Sequence, residues 1–161
     1  MSLDKGQMPD IDVSNLKIAV VASRFNKELV DALVGDAVKC MLAKGLKAEN
    51  IKAVRVPGAA ELPFMCEMLS STKQYDSVIA LGVVIAGETP HHEIIANSTA
   101  NALQSIAVQT KTPMINGIVV TNNLQQAQDR TIGPIARGSE FAEAAMEMGF
   151  YNKNLRKELG V

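Results

Sequence analysis

The chain has no tryptophan, and only four phenylalanines and two tyrosines, in 161 residues. Large rings therefore cannot dominate its core, which must be built from Ala, Val, Ile, Leu and eight Met. Such side chains suit helices packed closely on a sheet, and equally suit flat, Ala-rich helical faces that meet neighbouring subunits. An excess of one charge is missing as well. Sixteen basic against seventeen acidic residues leave a net charge of −1, which argues against nucleic acid or an anionic membrane as partner, since both normally need a basic surface. No run approaches the ~20 consecutive apolar residues of a spanning helix. The N-terminus is acidic and polar rather than signal-like. The two cysteines, Cys40 and Cys66, fall in apolar, helical-looking segments as buried free thiols do, and nothing demands an oxidising compartment. The expectation is a cytoplasmic chain with one packed domain, in keeping with 47% apolar and 20% charged residues.

Several catalytic signatures are also absent. There is no Gly-x-Ser-x-Gly elbow, no Walker loop and no Gly-x-Gly-x-x-Gly fingerprint, against a serine hydrolase, a P-loop NTPase or a dinucleotide oxidoreductase. The only histidines, His91 and His92, are adjacent. Adjacent helical residues point about 100° apart, so the pair is poorly placed to hold one metal, and no metal site is expected.

What is present is an alternation. Residues 1–15 are polar and read as a flexible arm, followed by a single domain over 16–161. Leu16–Ala22 forms a β-branched apolar run, and Leu29, Val30, Leu33, Val34, Ala37, Val38 and Met41 then recur at helical spacing. Asn26 is the expected cap of that helix and Gly45 its stop. The pattern repeats with a strand over Asn50–Val56, a short helix, and a strand over Ser77–Ile85 that is apolar on both faces. Thr89 and Pro90 suit the cap and first turn of the next helix. A strand over Pro113–Val120, a helix near Leu124–Arg130 and a last helix over about Ser139–Leu159 complete the chain. Strands alternating with helices predict a parallel sheet covered on both faces, with ligands at the carboxyl ends of the strands.

The chemistry-bearing residues lie at those ends. Gly82–Glu93 (GVVIAGETPHHE) leaves a central strand and enters a helix, where unpaired amides and the dipole make either an anion site or simply a tight turn. His91 and His92 are candidate proton carriers for carbonyl chemistry, or two exposed polar residues at a helix start. Phe25 either stacks on a flat heterocycle or belongs to the core. Glu61 either complements a helix dipole or accepts protons from sugar-like hydroxyls. Arg130, at a helix end, is a structural cation or a phosphate clamp, and Arg137 shares that ambiguity.

Five segments in order resemble the lumazine synthase family. They are Ser23-Arg24-Phe25-Asn26; Val56-Pro57-Gly58-Ala59-Ala60-Glu61-Leu62-Pro63; Ala80-Leu81-Gly82-x-Val84-Ile85-x-Gly87-x-Thr89-x-His91; Gly117-Ile118-Val119; and Gln126-Ala127-x-x-Arg130. The resemblance implies a flavodoxin-like three-layer α/β/α sandwich with a four-stranded parallel sheet. It also implies a cofactor-independent, metal-free transferase of riboflavin biosynthesis. Such an enzyme condenses 5-amino-6-(D-ribitylamino)uracil with 3,4-dihydroxy-2-butanone 4-phosphate and releases phosphate. By the same resemblance His91 carries protons and Phe25 stacks on the pyrimidine. Ala59, Ala60 and Glu61 bind the ribityl chain and ring edge, and Val83, Val84 and Ile85 read the pyrimidine's amide-like edge. Glu88, Thr89 and Arg130 hold the phosphate, and Asn116 faces the pyrimidine from a neighbouring subunit of a homo-oligomer built on pentamers. Riboflavin synthase is a candidate partner. The chain departs from the family pattern at Ala86, His92, Asn116 and Thr131–Gly138. A non-catalytic flavin or lumazine carrier, or a cage-forming member, is the alternative.

Overall fold

Alternation in the sequence becomes layers in three dimensions. The computed structural model describes residues 5–161 and contains four strands, β1 (Ile18–Ser23), β2 (Ile51–Val56), β3 (Ser77–Ile85) and β4 (Met114–Thr121). Five α-helices connect and follow them: α1 (Lys27–Ala43), α2 (Leu62–Ser71), α3 (His91–Thr110), α4 (Leu124–Thr131) and α5 (Gly138–Leu159). All strand pairs are parallel, in the order β2-β1-β3-β4. The chain leaves β1 towards one edge to make β2, then returns past β1 to make β3. This reversal creates a crevice at the carboxyl ends of β1 and β3.

The two central strands are buried along most of their length, because helices cover both faces. Their side chains divide by strand alternation. Ile18, Val20, Ala22, Ile79 and Leu81 join a core with Leu33, Ala37, Met41, Ala142 and Met146 from α1 and α5. Ala19, Val21, Val78 and Ala80 join a second core with Leu62 and Cys66 of α2 and Leu103 of α3. The architecture is a flavodoxin-like three-layer sandwich, as the family resemblance implies, and its parallel sheet covered on both faces is what the alternation of strands and helices predicts. Strands β2 and β4 are edges, and Lys52, Arg55, Asn116 and Val120 are exposed on them.

Local details follow from residue chemistry. Gly45 has φ 102, a left-handed conformation that ends α1, with Leu46 N–H donating to Met41 O at 3.0 Å. Asp36 of α1 caps α5 from across the layer, accepting from Ser139 N (2.7 Å) and Ser139 Oγ (2.6 Å). The helices approach so closely there that a Cβ on Gly138 would fall 2.6 Å from Leu33 O.

Three expectations change. Asn26 occupies the cap position of α1 but makes no side-chain cap bond. Thr89 does not cap α3: Pro90 holds that position and Glu93 N–H donates to its carbonyl at 3.0 Å. The arm is not loose throughout. Val13 is buried and Met8 and Ile11 pack on the core, because these apolar residues cover the α1/α5 side of the sheet; residues 1–4 lie outside the described residues. Among the described residues no helix is long and apolar enough to cross a membrane.

Candidate active site

The loop after β1 is tied to both neighbouring strands. Arg24 N–H donates to Val56 O at 2.9 Å and Phe25 N–H to Pro57 O at 3.1 Å, fixing the loop to the end of β2. Asn26 is left-handed (φ 54) and its Nδ2 donates to Val83 O on β3 at 2.8 Å. Between these anchors the Phe25 ring faces outward and is 69% exposed. That excludes the core reading and leaves a flat aromatic face at the strand ends. The ring lies directly over Gly58, where a Cβ would come within 2.8 Å of it.

After β2, the turn at Ala59–Glu61 is closed by Glu61, whose Oε2 accepts from Gly58 N at 2.8 Å. The carboxylate thus caps its own turn while remaining on the exposed rim. Strand β3 outruns β1. Their register ends at Ala22 and Leu81, whereas β3 stays paired with β4 through Ile85. Val83, Val84 and Ile85 therefore present a strand edge with no β1 partner beside it. His91 opens α3, is exposed, and faces the same space, with Ile95 one turn further on.

These parts enclose a cleft of about 630 Å³ lined by Phe25, Asn26, Gly58–Glu61, Val83–Ile85, His91 and Ile95, within the usual size of a small-molecule site. Eight residues singled out in the sequence, Phe25, Ala59, Ala60, Glu61, Val83, Val84, Ile85 and His91, meet there. Asn116 and Arg130 do not. They line a second pocket of about 510 Å³ with Arg137, Phe141 and the end of β4. The reason is sheet order: the first cleft sits over β2, β1 and β3, while Asn116 and Arg130 belong to the β4 edge and to α4. Glu88 and Thr89 line neither pocket and are exposed on the loop between β3 and α3.

Two guanidiniums, those of Arg130 and Arg137, line the second pocket and are held in place. Arg130 Nη1 donates to Gln126 O at 3.1 Å, and Arg137 Nε and Nη2 donate to Glu140 Oε2 at 3.1 and 3.0 Å. The turn is tied by Arg137 N–H to Arg130 O at 3.1 Å. His92 turns back on its own loop, its Nδ1 lying 3.2 Å from Thr89 O. The thiols are unsuited to nucleophilic work. Burial pushes Cys66 up to about 12, and burial, with Glu143 nearby, raises Cys40.

A sequence model of 6,7-dimethyl-8-ribityllumazine synthase matches residues 15–153. The chain belongs to the 6,7-dimethyl-8-ribityllumazine synthase family. A relative so named from Paracidovorax citrulli is 38% identical over 156 residues, 97% of each chain. Another from Lawsonia intracellularis is 38% identical over 84% of this chain and 87% of its own. A third, from Nitrosospira multiformis, is 37% identical over 91% and 90%. The span matched to the lumazine synthase family includes every residue lining both pockets.

Sequence reasoning missed Asn26 and Ile95 as cleft residues and Phe141 as a wall of the second pocket. Asn26 carried a signal: asparagine tolerates the left-handed conformation better than most residues, and it follows the exposed Phe25. Ile95 sits four residues after His91, on the same helix face. Phe141 carried none, since its helical spacing marks it only as a core-facing residue.

Proposed function

We propose that this chain is a working lumazine synthase, joining 5-amino-6-(D-ribitylamino)uracil to 3,4-dihydroxy-2-butanone 4-phosphate in riboflavin biosynthesis. The observation that carries the reading is the convergence of an exposed aromatic ring, a strand edge beyond the reach of β1, a carboxylate and a histidine in one cleft. Phe25 stacks on the pyrimidine and the Val83–Ile85 backbone reads its amide-like edge. The 59–61 turn takes the ribityl chain, with Glu61 accepting hydroxyl protons. The substrate amine attacks the ketone and loses water to give an imine. Phosphate is eliminated, an enol forms, and ring closure with loss of a second water completes the product. His91 carries protons between these steps. Holding two substrates together supplies much of the rate, because approximation contributes several kcal/mol, roughly 7–11 at best.

The phosphate site needs a second subunit. Glu88 and Thr89 stand on the loop that joins Ile85 to His91, two residues of the first cleft, whereas Arg130 lines the other pocket of the same chain. A homo-oligomer built on pentamers, in which Arg130 and Asn116 of one subunit meet the cleft of the next, completes the site. Exposed apolar residues such as Phe64, Ile94, Val108 and Leu124 supply surface for that assembly. The cytoplasm is the compartment, and riboflavin synthase, which consumes the product, is the expected partner. The test mixes the protein with both substrates and follows lumazine formation above the spontaneous background. His91→Ala lowers kcat by about 10²-fold, the low end for a proton carrier. Tight lumazine binding without any acceleration would instead make the chain a carrier.

A further inference from the structure

We infer that Asn26 is a positioning residue that sets the distance between the Phe25 ring and the Val83–Ile85 strand edge. It acts on the flat substrate through them rather than by touching it. The inference rests on the site reading proposed above.

Asn26 is an outlier among the cleft residues. Its φ of 54 places it in the left-handed region, which disfavours a residue carrying a Cβ. Glycine would meet that backbone more easily but has no amide. The side chain is not spent on the helix it precedes, since α1 receives no cap bond from it. Its Nδ2 instead reaches 57 residues along the chain to Val83 O, at 2.8 Å and partly buried. Val83 lies just beyond the last β1–β3 pair, Ala22 with Leu81. The amide thus serves that carbonyl where strand β1 has turned away, and it extends the β1–β3 connection into the loop.

The consequence lies one residue back. Phe25 is bonded through its own N–H to Pro57 O on the β2 side, at 3.1 Å. Through the next residue it is tied to Val83 on the β3 side. The ring is mostly exposed, so these two backbone ties set its height. A flat ligand must lie in van der Waals contact with the ring, and its edge must reach strand hydrogen-bonding groups within a few tenths of an ångström. The Asn26–Val83 bond is the strut that makes both distances compatible.

The experiment measures the dissociation constant of 6,7-dimethyl-8-ribityllumazine for Asn26→Asp and Asn26→Gly. Native mass, Tm and the KM for the butanone phosphate are followed beside it. Asn26→Asp keeps size and tolerance of the left-handed turn but sets oxygen against the Val83 carbonyl; Asn26→Gly keeps the turn and deletes the donor. Lumazine affinity is expected to fall about tenfold in both, the scale of one lost hydrogen bond. The KM for the phosphate substrate, the mass and the Tm stay near the wild-type values. In a Phe25→Ala background, Asn26→Asp is expected to cost less than about twofold more, because the platform it positions is gone. Equal losses with and without Phe25 would mean direct contact and would overturn the inference, as would unaltered affinity in Asn26→Gly. A wild-type protein that binds no lumazine overturns both readings; wild-type binding with insensitive Asn26 variants overturns this one alone.

Discussion

Gly58→Ala separates the site from the fold. Gly58 has φ −136 and ψ −177, extended backbone that alanine adopts without strain. Its new methyl would sit 2.8 and 2.9 Å from two carbons of the Phe25 ring, and 3.2 Å from Glu61 Oε2. The ring must retreat by roughly 0.7 Å or more to regain the ~3.5 Å of an ordinary carbon contact. It can do so easily, because it is mostly exposed and no core collapses behind it. Alanine also restricts the unfolded chain, worth about 0.4–1 kcal/mol in favour of folding. Stability should therefore hold or rise slightly, moving Tm by no more than about 2–4 °C for a chain of this size. Binding should suffer instead. Stacking of a nucleobase-like ring on an aromatic is worth about 1–3 kcal/mol. Losing about 1 kcal/mol, the lower end of that range, weakens affinity about fivefold, and losing about 1.5 kcal/mol, half of the upper end, weakens it about twelvefold. The assay is titration with 6,7-dimethyl-8-ribityllumazine, with Tm and native mass measured on the same preparation. Unchanged affinity in a folded variant would show that the ring over Gly58 is not the binding platform. A fall in Tm of more than about 5 °C would show that the ring is packed rather than free.

Three other outcomes are expected. Arg130→Ala should raise the KM for the phosphate-bearing substrate by about tenfold or more, the scale of a lost charge-assisted bond, with little change in lumazine binding. Each variant is impaired alone, but co-assembled His91→Ala and Arg130→Ala chains should recover activity at about a quarter of the sites if the two pockets meet across subunits; no recovery in verified mixed oligomers would place the whole site in one chain. Cys66 provides a pH test. Its thiol, ordinarily near 9, is pushed up to about 12 by burial, so the unfolded chain ionises first. The native state therefore keeps its full advantage below pH 9 and loses it as pH rises towards 12. Between those values Cys66→Ala should show a stability slope shallower by up to about 1.4 kcal/mol per pH unit; parallel slopes would refute the burial argument.

Much of the cleft's lining is legible in the sequence. Phe25, the 59–61 turn, Val83–Ile85 and His91 all sit where a strand of a parallel sheet hands over to a helix, and such handovers gather at one end of the sheet. Gly45 was readable too, since a glycine after the last helical apolar residue marks a left-handed stop. Other residues were misread because their local chemistry had a rival elsewhere. Asn26 looked like a helix cap, but a carbonyl on β3 claimed its amide. Thr89 looked like the cap of α3, but the helix starts after Pro90. Val13 reads as part of a polar arm, but its few apolar residues, Val13 with Met8 and Ile11, pin the segment to the core.

The sequence by itself determined the layers, because the period of the apolar residues decides which elements form and which faces they bury. It also determined which residue types stand at the strand ends. Tertiary structure alone decided which of those ends are neighbours. Periodicity carries no information on strand order, and the order β2-β1-β3-β4 puts Phe25, Glu61 and His91 around one cleft while sending Asn116 and Arg130 to another pocket. Contacts such as Asn26 with Val83 and Phe25 with Gly58 exist only once the whole sheet has packed, since they join residues 57 and 33 positions apart.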